Sequence, residues 1–131
     1  MRFEVISAFA LGGLIPIMGT CLDYCRNDYS FSLADFTGNL PDYVACALLL
    51  SAAWFALRLR AFASVFLVLG WAYFTCLMFD SLWGQIESTL RDDPEPFNAA
   101  VIVFKLAFMI TCVVSLAMSF RRAVGPTGQN S

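Results

Sequence analysis

Cys21 and Cys25 are the first residues here whose type and spacing suggest a reaction. Two thiols close in sequence form a disulfide or exchange one, and Cys46 stands where a third could join them. The run Cys-Leu-Asp-Tyr-Cys has three intervening residues, whereas thiol-disulfide oxidoreductases use two. A membrane enzyme passing electrons from thiols to quinone also needs two accessible pairs, and one is evident. Three readings stay open: a structural disulfide among Cys21, Cys25 and Cys46, free thiols, or redox catalysis. Cys76 and Cys112 fall in apolar runs and read as small fillers.

Asp80 and Lys105 are charged residues inside long apolar segments, and Tyr73 shares the helical face of Asp80 at a spacing of seven, with Cys76 between them. A lysine near the middle of a membrane helix costs roughly 2.5 to 3.5 kcal/mol on insertion scales, so it seeks a partner or water. Antiparallel helices would bring Asp80 and Lys105 to similar depth. The pair is expected to be either a structural ion pair or a polar site for an anion, a proton or a partner's charge.

Composition removes many other chemistries. The chain has no histidine, so the commonest proton shuttle, haem ligand and zinc ligand are missing. A net charge of -2 and a pI near 4.8 argue against nucleic acid as a partner. The acidic run Asp92-Asp93-Pro94-Glu95-Pro96 is stiffened by prolines that do not build a calcium wrap, and it reads as a solvated linker. No motif calls for a metal or a cofactor.

The elements that must position these residues are apolar: 60% of the 131 residues are hydrophobic and 14% charged. Four segments approach the ~20 residues that cross a bilayer as helix. They run over about 3–20, 43–57, 61–83 and 99–120. An all-α, integral membrane four-helix bundle follows, with one domain over 1–122 and a disordered tail over 123–131. An unbroken helix from Tyr43 to Trp83 would be ~60 Å long, so a tight turn is expected at Arg58-Leu59-Arg60.

Charge orients the bundle. Arg2, Arg58, Arg60, Arg121 and Arg122 lie on one side with Glu4, while Arg26 and Arg91 lie on the other among many acids. Both termini are therefore expected to be cytoplasmic, in a multi-pass protein of the plasma membrane, the inner membrane of a bacterium. Arg2, the apolar run and Met18-Gly19-Thr20-Cys21 would also suit a cleaved signal. Glu4, Pro16 and the threonine before the cysteine fit that poorly, so an uncleaved span is expected.

Between the first two spans, Ser32-Leu-Ala-Asp35 has capping-box spacing and predicts a short helix ending near Gly38, with Asn39 and Pro41 starting the next span. With Tyr29, Phe31 and Phe36, this connection is expected to be a lid over the bundle or a docking surface. Ala107, Thr111, Ser115 and Ser119 repeat every four residues and predict a small-residue ridge for helix packing, as do Ala8 with Gly12, Ala47 with Ser51 and Ala52 with Ala56.

The absence of catalytic residues favours a non-enzymatic protein that acts by helix-helix or outer-loop contact: an accessory subunit, or an immunity-type protein that blocks a membrane partner. A homo-oligomeric transporter or channel built on Asp80 and Lys105 is the alternative. A thiol oxidoreductase using Cys21 and Cys25 is third. In each case the bilayer and a membrane protein, or a second copy, are the expected partners.

Overall fold

Antiparallel packing is set by a few close approaches between small residues. A computed structural model describes residues 2–30, 32–58, 62–91 and 98–125, and shows five helices: α1 (Phe3–Arg26), α2 (Leu33–Gly38), α3 (Leu40–Arg58), α4 (Ala63–Leu90) and α5 (Asn98–Val124). All but α2 are long and apolar enough to cross a membrane. At 1.5 Å per residue they run from about 28 to 42 Å, a bilayer core being ~30 Å.

The helices extend beyond the apolar runs that announced them. α1 continues from Thr20 to Arg26, and α4 from Trp83 to Leu90. Nothing in Cys21–Arg26 or Gly84–Leu90 breaks a helix, so hydrogen bonding carries on after hydrophobicity ends. Helix α1 stops where Asp28 and Tyr29 take left-handed backbone angles, φ 49° and 60°, and the Tyr29 N–H donates to the Tyr24 carbonyl. Helix α3 ends at Arg58 and α4 begins at Ala63, and the turn expected at Arg58-Leu59-Arg60 falls on residues outside the described ones. Leu59, Arg60 and Ala61 lie outside the described residues, as do Phe31, the acidic run 92–96 and the tail beyond Gly125.

Glycine lets neighbouring backbones approach at two levels. A Cβ on Gly12 would come within 2.9 Å of Leu50 Cγ, and one on Gly70 within 3.3 Å of Ala52 Cβ and 3.5 Å of Leu49 Cα. Gly12 thus seats α3 on α1, and Gly70 seats α3 on α4. Around them Ala8, Ala45, Cys46, Leu49, Ala52, Ala53 and Leu67 form a core whose largest member is the fully buried Trp71. Among the long helices, α4 packs most extensively on α5, while α1 and α5 meet along a much thinner seam.

The predicted ridge is only half a packing surface. Ser115 and Ser119 are fully buried, Thr111 is half-buried and Ala107 is exposed. Residues four apart precess by ~40° per step on a helix of 3.6 residues per turn, so the row winds off the interface within three steps. The buried face is Cys112, Ser115 and Ser119. Ala8 and Gly12 are buried as expected, whereas Ala47 and Ser51 face outward and the Ser51 hydroxyl donates to the Ala47 carbonyl.

Candidate functional site

The polar groups gather at the two ends of the bundle, and each gathering follows from the antiparallel register. At the arginine-rich end the first turn of α1 meets the last turns of α5. Glu4 is fully buried, and Arg122 Nε lies 2.8 Å from its Oε1. Among the described residues no N–H points squarely at either Glu4 carboxylate oxygen, so the Arg122 contact is an ion pair rather than a formed hydrogen bond. The Trp71 indole N–H donates to the Glu4 carbonyl at 3.2 Å. One turn further in, the Ser7 and Ser115 hydroxyls are 3.2 Å apart, and Ser119, also buried, lies on α5 between Ser115 and Arg122.

Sequence alone counts Glu4 only as one charge at the start of the first span; in α1 it is fully buried. A signal for this was available: an acid near the start of the first span and a base near the end of the last must meet if those helices are antiparallel neighbours.

At the other end, α4 and α5 are joined by side-chain amides. Lys105 Nζ donates to the Ser81 carbonyl at 3.1 Å and approaches Gln85 Oε1 at 3.3 Å. Gln85 Nε2 donates to Asn98 Oδ1, and Asn98 Nδ2 donates to Thr89 Oγ1, each at 2.5 Å. The ammonium also acts electrostatically on Asp42 of α3. The structure therefore brings Lys105 to the buried Gln85 and to the residue following Asp80. The Asp80 side chain is on the outward-facing surface of α4, in line with the exposed Tyr73 and Cys76. Gln85 was not singled out from sequence; it lies at i+4 from Ser81, on the α5-facing side of α4.

Asp80 sits ten residues before the end of α4, about 15 Å along its axis. Beside it Phe79 and Trp83 stack with ring centroids 6.4 Å apart, both more than half exposed. An outward stripe of Tyr73, Cys76 and Asp80 on an otherwise apolar helix is the least expected surface of the molecule.

No disulfide joins the cysteines. All five are free thiols; Cys21 and Cys25 are exposed, Cys46 and Cys112 are buried and Cys76 is exposed. Because α1 remains helical through Arg26, Cys21 and Cys25 hold the i, i+4 spacing, with Cβ atoms ~5–6 Å apart. A disulfide needs ~3.5–4.5 Å, so bridging them would require the last turn to unwind.

The short connecting helix forms as its capping box predicts: Ser32 Oγ accepts from the Asp35 N–H, and Asp35 Oδ2 accepts from the Ser32 N–H. The Ser32 backbone bond first, then its hydroxyl and Asn27, hold the Asp35 carboxyl below the usual carboxylate range. Asn39 donates to Asp23 and ties this connection to α1. Helix α2, in the connection expected to be a lid or a docking surface, buries none of its own residues and leans beside α3 through Phe36 and Tyr43. Leu33 is 79% exposed.

Among the described residues no cluster of three or more acids or cysteines has metal-holding geometry. No protein-family model, curated protein or solved structure matches this chain.

Proposed function

We propose that this chain is a multi-pass membrane protein with both termini cytoplasmic, and that it acts without catalysis by docking a membrane partner along the outer face of α4. One observation carries the reading: Asp80 faces outward, beside the stacked pair Phe79 and Trp83, in a helix long and apolar enough to span a bilayer. An ionised carboxylate turned toward lipid is costly, and intramembrane acids almost always meet another protein group or water. A partner helix bearing an arginine or lysine supplies that group, with Tyr73 and Cys76 continuing the contact.

The orientation is supported by the arginines gathered at the end shared by both termini. In a bacterium the membrane proposed is the inner one. An accessory subunit and an immunity-type blocker both fit such a surface.

A homo-oligomeric transporter is the second reading, favoured by the polar chain Lys105–Gln85–Asn98–Thr89 between α4 and α5. Purification in mild detergent separates the two. The docking reading expects a distinct membrane protein held stoichiometrically by the wild type and released by Asp80→Asn. A homo-oligomer that moves a solute across liposomes, with no such partner, overturns it.

A further inference from the structure

A groove of about 420 Å³ opens outward between α1 and α3, lined by Phe9, Leu50, Ser51, Trp54 and Phe55. The Ser51 hydroxyl donates to the Ala47 carbonyl, and apart from it and the Trp54 indole N–H the lining is apolar. At its rim the Arg58 guanidinium lies 4.8 Å from the centre of the Trp54 ring. A guanidinium held over one aromatic face does not use up its five N–H donors, which leaves donors for a planar or tetrahedral oxyanion. The acid of this end, Glu4, is buried against Arg122 and does not compete for Arg58. Arg2, Arg58, Arg121 and Arg122 give this end a positive surface.

We propose that the groove is a site for one anionic phospholipid, with an acyl chain against Phe9, Leu50 and Trp54 and the phosphate on Arg58. The apolar lining selects a chain but no headgroup. The held guanidinium adds the headgroup preference, as basic pockets between membrane helices do on the cytoplasmic side. This rests on the membrane reading but not on the Asp80 surface, so Asp80→Asn leaves lipid retention unchanged.

The test is native mass spectrometry of the full chain, purified in mild detergent with equal phosphatidylglycerol and phosphatidylcholine of matched chains. The wild type is expected to retain one phosphatidylglycerol with a roughly fivefold preference, the effect of one basic residue at a lipid surface. Arg58→Gln is expected to bring the preference to near parity. Ser51→Phe, which fills the groove from an exposed position, is expected to remove the bound lipid of either kind. Unchanged thermal unfolding of both variants shows that the loss is local. Wild-type preference persisting in Arg58→Gln, or wild-type retention in Ser51→Phe, overturns the site; loss of lipid only through unfolding does so too.

Discussion

Arg122 Nε lies 2.8 Å from Glu4 Oε1, joining the last turns of the final helix to the first turn of the first. The pair is asymmetric: Glu4 is fully buried, while the Arg122 side chain is 42% exposed. Losing Arg122 leaves a buried carboxylate without its counterion, whereas losing Glu4 leaves an arginine that can turn to water or lipid phosphate. Arg122→Gln is therefore expected to cost about 3–5 kcal/mol and Glu4→Gln less, with the double variant recovering part of the loss. A double-mutant cycle on unfolding in detergent measures this; additive losses of equal size would contradict it.

Lys105 depends on Gln85. Replacing Gln85 with Leu removes an acceptor of the ammonium and the donor to Asn98 together. Interhelical polar contacts of this kind contribute roughly 1 kcal/mol each. Coupling between Lys105→Met and Gln85→Leu is expected to exceed that between Lys105→Met and Asp80→Asn. Stronger coupling to Asp80 would restore the ion pair expected from sequence.

Those two polar centres show where the sequence was legible. Apolar runs announced four long helices because a spanning segment must be apolar nearly throughout, and Ser32 with Asp35 announced the short one because capping chemistry is local. Glu4 and Gln85 were passed over because their importance depends on which helices become neighbours, which no local pattern states. The every-fourth ridge misled for a related reason: Ala107 and Ser119 share a spacing but not a face, and only the interface itself shows which end of the row is used.

The thiols are expected to report the same geometry. A membrane-impermeant maleimide added to intact cells should label Cys21 and Cys25 equally with and without reductant, while Cys46 and Cys112 stay protected until unfolding. Labelling that appears only after reduction would show a disulfide and an unwound end of α1. Quinone-dependent dithiol oxidation abolished by Cys21→Ser would displace the non-enzymatic reading.

The arginines set the orientation expected of the chain. Reporter fusions after Arg60 and Ser131 are expected to signal cytoplasm, and fusions after Gly38 and Glu95 the opposite side. A C-terminus on the acidic side would reverse the orientation and remove the cytoplasmic setting of Arg58.

Docking through the outer face of α4 is tested most directly by cross-linking from that face. A photoreactive residue placed at Tyr73, in cells expressing the full chain, is expected to capture one discrete membrane protein. Asp80→Asn should reduce that adduct about tenfold, the equivalent of a 1.4 kcal/mol loss, and Asp80→Lys should abolish it until an acidic residue replaces the partner's basic one. The same photoreactive residue at Val103, on the exposed face of α5, should capture lipid alone. Equal capture from both positions, or an adduct indifferent to Asp80→Lys, would contradict the docking surface.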